Sequence, residues 1–388
     1  MAAFEPMEIE TGGGNAAIAT PNRINIGDTG YSIPIPQWRR VLFSCSRALI
    51  YFAIAAAFVG YGRQLKQERH SFTVAVDGRG DFTTISAAVA AAPDHRISSF
   101  RIYIKTGLHV EHVKVGLDKT HIEFIGDGVE KTIIVFNHSQ ADLNSTYSAA
   151  TVYVRGDDFV ARDITFMNKA EPLRGGAPAF TSEGNRTVLY RCSFEAYRAT
   201  VYARFGYHFY RECNIYGTSD IIFGSATAVF QQRTIFAGLP VVGDRITVTA
   251  HEVRSSPREP SVFSLHICTI TRDLRAGRAT ASDHIPRGYL GTVRWPSSSS
   301  TVVMQSFLDE VIDPHGWLPY NTTTLLGPSG FYGEYHNRGP GAKRLMKSEH
   351  SANVLTAGGA QNFTVAQQLL LRGDDDRMGE SNWNSIYA

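Results

Sequence analysis

The sequence predicts an all-β chain wound as a solenoid, and three observations carry that prediction. Short runs rich in β-branched and aromatic residues, separated by Gly, Asn and Asp, recur at 99–104, 121–125, 132–136, 151–154, 164–166, 187–191 and 207–210. Helical periodicity is scarce after residue 100. The runs also rhyme: Arg191-Cys-Ser-Phe194, Glu212-Cys-Asn-Ile215 and Gln232-Arg-Thr-Ile235 follow one another at 21 and 20 residues, and Ile267-Cys-Thr-Ile270 returns later. A period near 20 residues makes each repeat one coil, whose short strands join parallel sheets and whose apolar side is buried by neighbouring coils. A meandering β-sandwich is the competing arrangement.

Taken in order, residues 1–40 carry Pro6, Gly12-Gly-Gly14, Pro21, Pro34 and Pro36 without sustained apolar periodicity, and read as a disordered leader. Residues 41–62 hold the apolar stretch Ala48 to Val59, preceded by Arg39, Arg40 and Arg47. Its ~12 continuous apolar residues suit a signal-peptide core, whereas a spanning helix needs ~20. Counting from Val41 gives a nearly sufficient span that includes Arg47, so a signal anchor and a buried helix also stay open. The first two readings place the body of the chain outside the cytosol. A short helix is expected at 84–92, where Thr84 or Thr83 caps an Ala-rich run that stops before Pro93 and closes one end of the solenoid. The solenoid is expected over 71–370, with an irregular tail at 371–388.

The 388 residues, 43% hydrophobic, can bury a sizeable core. A formal charge of +2 gives no basic face for nucleic acid. Cys192 and Cys213 lie 21 residues apart, a spacing that stacks them on neighbouring coils as either a disulfide or a pair of buried thiols. Asn137, Asn144, Asn185, Asn321 and Asn362 each begin an Asn-x-Ser/Thr sequon, in keeping with secretion. No Cys/His spacing suits zinc, no Gly-rich turn suits a nucleotide and no nucleophile elbow is present, so no metal or cofactor is expected.

Asp220 is the one acid in the apolar run Ile215-Tyr-Gly-Thr-Ser-Asp-Ile-Ile-Phe-Gly224. A carboxylate there must be paired, hydrogen-bonded or chemically employed, because burying it bare costs several kcal/mol. The run resembles the Gly-Thr-x-Asp-Phe-Ile-Phe-Gly signature of plant pectin methylesterases. Further ordered blocks carry the resemblance over about 71–370, among them Val74-Ala-Val-Asp-Gly-Arg-Gly-Asp-Phe82, Phe124-Ile-Gly-Asp-Gly128, Ala161-Arg-Asp-Ile-Thr-Phe166, Thr301-Val-Val-Met-Gln-Ser306 and Gly316-Trp317. It implies a single-stranded right-handed parallel β-helix, secretion to the plant cell wall, and homogalacturonan as partner. With only about 70 residues ahead of the matching body, the chain resembles the short form that lacks a helical inhibitor-like pro-region. A monomer is expected.

The same resemblance assigns roles residue by residue. Asp220 takes the nucleophile's place, followed by Ile221 where the family has Phe. The family's Tyr-Gln-Asp-x-Leu-Tyr block reads Tyr197-Arg-Ala-Thr-Val-Tyr202, so an oxyanion glutamine becomes Arg198 and the acid/base aspartate becomes Ala199. A methyl group carries no proton, and losing general acid-base help costs ~10²- to 10⁴-fold in rate. The other oxyanion glutamine aligns with Gly176, a loss of ~10²- to 10³-fold for one donor. Arg294 is the candidate partner of the nucleophile, although strict alignment gives Thr292. Trp295, Trp317 and Tyr202 match aromatic positions of the sugar cleft, and His251 stands where a cleft glutamine is expected. Arg198 could instead pair with Asp220 and lock it as an anion. Two functions follow: hydrolysis of galacturonate methyl esters with impaired activity, or pectin binding without turnover. A lyase or polygalacturonase would need clustered carboxylates that are not visible.

Overall fold

The computed structural model describes residues 69–251, 261–276, 286–293, 299–318, 331–343 and 353–370, with two strands ahead of them, Arg23–Asn25 and Ser32–Pro34. The chain divides into residues 1–68 and 69–388. In the first unit the two strands pair antiparallel. The apolar segment at 41–62 and the tail at 371–388 lie outside the described residues, and no described helix is long and apolar enough to cross a membrane.

In the second unit every strand pairing is parallel, and the described strands form sheets of 11, 8 and 7 members. The chain visits them in rotation. One coil runs Thr187–Tyr190, Ser193–Glu195, Val201–Ala203; the next runs Tyr207–Arg211, Asn214–Gly217, Ile222–Gly224; a third runs Thr227–Gln231, Thr234–Ala237, Ile246–His251. These belong in turn to the first, second and third sheets, and the result is a parallel β-helix. The observed strands begin and end within one or two residues of the expected runs. The end helix is Ile85–Ala91, and Thr84 is its N-cap, its hydroxyl accepting from Ala87 N at 3.3 Å.

The rhyming tetrapeptides are the corners between the first and second sheets. At each corner one residue takes a left-handed backbone angle: Asp163 (φ 60°), Arg191 (47°), Glu212 (53°), Gln232 (52°), Ile267 (55°) and Gln305 (52°). The residue after it enters the interior, giving the ladder Ile164, Cys192, Cys213, Arg233, Cys268 and Ser306. Cys192, Cys213 and Cys268 are buried free thiols. Parallel, in-register coils ~4.8 Å apart also place like on like in the core. Phe166 stacks on Phe194 at 5.3 Å and Tyr210 on Phe230 at 4.6 Å between ring centres.

Candidate active site

The site sits where the chain enters the third sheet. Strand register pairs Val201 with Ile222 and Ile222 with Thr249, and an isolated bridge pairs Arg198 with Ser219. Counting along those registers puts Ala199 directly below Asp220 and Thr247 directly above it. The motif glycines permit this stacking: a Cβ on Gly217 would lie 2.4 Å from Thr200 Oγ1, and one on Gly224 would lie 1.9 Å from Ala203 O.

Asp220 is 4% exposed and itself takes a left-handed angle, φ 51°. The Thr247 hydroxyl serves it twice, accepting from Asp220 N at 2.6 Å and donating to Asp220 Oδ1 at 3.0 Å. Where the resemblance leads one to expect an acid/base aspartate, the structure has the methyl of Ala199, 4% exposed. Glu195, the nearest upstream acid, belongs to the second sheet and is held by Arg275 at 3.0 Å.

The alternative Arg198–Asp220 pair does not form. Register gives the place beside Asp220 to Ala199, and the Arg198 guanidinium turns to Asp244, which it meets through Nη2. Tyr197 secures the same loop, donating from its hydroxyl to Asp244 Oδ2 at 3.1 Å and accepting from Val241 N at 2.8 Å. Burial, with the Asp244 charge beside it, holds the Tyr197 phenol above its usual range, so it remains a donor. Gly176, where a glutamine was expected, has no room for a side chain: a Cβ there would lie 2.4 Å from Thr146 Cγ2.

The aromatic expectations fare unevenly. Trp317 is 1% exposed and packs inside the main core, edge-on to Tyr332 at 4.7 Å, with Nε1 donating to Glu334 at 3.1 Å. It is a core residue, not an open sugar platform, because Gly291 in the third sheet leaves room for its ring to enter. Tyr202 lies on the outward column of the third sheet but is covered to 1% exposure, with the Phe223 ring 4.7 Å away. Phe223 is the half-buried aromatic of that column, and its place in the motif was the signal that could have found it. His251 is interior, bonded to Ser261 Oγ at 2.9 Å and Thr301 Oγ1 at 2.8 Å. Arg294 and Trp295 lie outside the described residues. Among the described residues no cluster of His, Cys, Asp and Glu is arranged to hold a metal ion.

A family model described as pectinesterase matches residues 71–374. The chain belongs to the pectinesterase family, and its solenoid is the right-handed parallel β-helix of that family. It is 41% identical over 288 residues to "Probable pectinesterase/pectinesterase inhibitor 39" of Arabidopsis thaliana, covering 73% of this chain and 52% of that protein. To "Pectinesterase/pectinesterase inhibitor PPE8B" of Prunus persica it is 43% identical over 298 residues, covering 76% and 56%. Among solved structures, "Pectin methylesterase from Carrot" superposes with a TM-score of 0.70 at 36% identity, covering 77% of this chain and 92% of that one. The chain spans about half the length of the curated relatives it matches.

Proposed function

We propose that the chain is a cell-wall pectinesterase of impaired activity, hydrolysing methyl esters of homogalacturonan to acidic pectin and methanol. The observation that carries this reading is the column Ala199–Asp220–Thr247: the carboxylate to which the resemblance assigns the attack stands over the methyl of Ala199 and beneath the Thr247 hydroxyl, with no side-chain carboxyl one coil below. The relatives' names support the substrate class. Asp220 Oδ attacks the ester carbonyl, the oxyanion forms, and methoxide leaves only when water supplies its proton. Hydrolysis of the acyl intermediate then lacks a base for the same reason, so both half-reactions are slow.

The setting we assign is outside the cell. Asn137, Asn144 and Asn362 are exposed sequon asparagines, as acceptance of glycans in a secretory route requires. Binding without turnover is the second reading, favoured by the 4% exposure of Asp220 beneath the Thr247 hydroxyl.

Methanol release from highly methylated pectin tests both. Slow release is expected in the natural chain, none in Asp220→Asn, and a gain of ~10²-fold or more in Ala199→Asp. Release that survives Asp220→Asn would remove Asp220 from the chemistry. Pectin binding with no methanol from the natural chain would establish the second reading.

A further inference from the structure

We propose that Arg198 is a uronate-carboxylate binding residue, and that Asp244 is an internal carboxylate occupying it in the resting molecule. The inference rests on the galacturonan reading above and names which form of the polymer the site prefers: the unesterified one.

The argument starts from charge. An arginine stands where the resemblance expects a neutral glutamine, one residue ahead of the Ala199–Asp220 column. A guanidinium gains much more from a carboxylate than from a methyl ester, because a charge-assisted, two-pronged contact replaces a neutral hydrogen bond. The protein itself illustrates that preference, since the group Arg198 has found is a carboxylate.

That pairing is incomplete. Asp244 engages Nη2, while Arg198 Nε is buried with no hydrogen-bond partner. A carboxylate meeting the fork along its Nε/Nη edge would satisfy both nitrogens, so exchange replaces a one-point contact with a two-point one. Neither side chain is sealed: Arg198 is 26% exposed and Asp244 18%. Asp244 also sits three residues before Thr247, on a loop pinned by Tyr197, so it can leave without disturbing the strand that serves Asp220. Tyr197, the residue before Arg198, and Thr218 line a groove of about 300 Å³ whose charged lining is Lys169, Glu195, Asp273 and Arg275, the last paired with both acids.

The test is calorimetric titration of the full chain with an oligogalacturonate and with its methyl-esterified counterpart of equal length. Tighter binding of the unesterified oligomer is expected. Asp244→Asn is expected to strengthen that binding about tenfold and leave the esterified affinity unchanged, and Arg198→Gln to erase the preference. Tyr197→Phe, which loosens Asp244 without touching its charge, is expected to shift the preference the same way by a smaller factor. Equal binding of both oligomers by the natural chain, unmoved by cooperatively melting Arg198→Gln and Tyr197→Phe, overturns the role of Arg198 and leaves the pectinesterase reading standing. A chain that binds neither oligomer and releases no methanol overturns both.

Discussion

Ala199 holds φ at 56°, a left-handed angle that costs an alanine roughly 1 kcal/mol and that aspartate adopts more readily. Ala199→Asp therefore restores a proton donor at a backbone position already shaped for one. Gly176 is different, because Thr146 occupies the volume a side chain would need, so a glutamine there requires Thr146 to change as well. Thr247 was not legible as a site residue: it lies 27 residues beyond Asp220, and only the coil register brings its hydroxyl there. Thr247→Val keeps the shape but leaves the buried Asp220 N–H and Oδ1 without that partner. A loss of about 1–3 kcal/mol is expected, read as a lower urea midpoint at unchanged slope. Arg198 shows the limit of alignment in another way, since its anion comes from 46 residues further on, in a loop with no repeat signature.

The corner is the element that the sequence made plainest. Its tetrapeptides repeat because each coil needs one left-handed residue followed by one interior residue, and both demands are local. What fills the interior place was less legible. Arg233 occupies it, 4% exposed, with Nε, Nη1 and Nη2 all lacking hydrogen-bond partners and with Phe230 5.7 Å from its guanidinium carbon. Burial alone would raise the Cys213 thiol, but the Cys192 hydrogen bond and the Arg233 charge outweigh it and bring Cys213 to about 6. A guanidinium and the Cys213 sulfur that it acidifies share a dry ladder that Ile164, Cys192, Cys268 and Ser306 fill at the other corners. Arg233→Met lets Cys213 keep its proton and fills similar volume, and is expected to raise stability by about 1–4 kcal/mol in denaturant unfolding. A fall in stability would show that the buried cation is a net support.

At the scale of the molecule, burial sets the response to acid. It lowers His208 and His112 to about 4 and His251 to about 3, so these rings stay neutral in the folded chain. For His112, the Lys114 and His138 charges add to that effect. His208 keeps Nε2 against Gly184 O at 3.2 Å, and His251 bonds through both ring nitrogens. The unfolded chain takes up protons near 6.5 that the folded chain refuses, so this contribution is complete above about 6.5 and is lost as pH falls toward 4. The expected outcome is a melting temperature that drops between pH 7 and 4, with a shallower drop in His251→Gln. An unchanged melting temperature over that range would contradict the neutral burial of these rings. The solenoid was legible because its period is written in short, local strands. The surroundings of Asp220 were not, because their partners come from turns of unequal length, where Gly238 to Arg245 breaks the 20-residue rhythm.

The coil that buries Arg233 is the same coil whose last strand brings Thr247 to Asp220. In a stack where each rung touches only the rungs above and below, fraying stays close to its origin. Amide hydrogens of 227–251 should therefore exchange with solvent sooner than those of 187–203, and slow down when the cation is removed. Asp220, held from that rung by the Thr247 hydroxyl, inherits its breathing, whatever becomes of its chemistry.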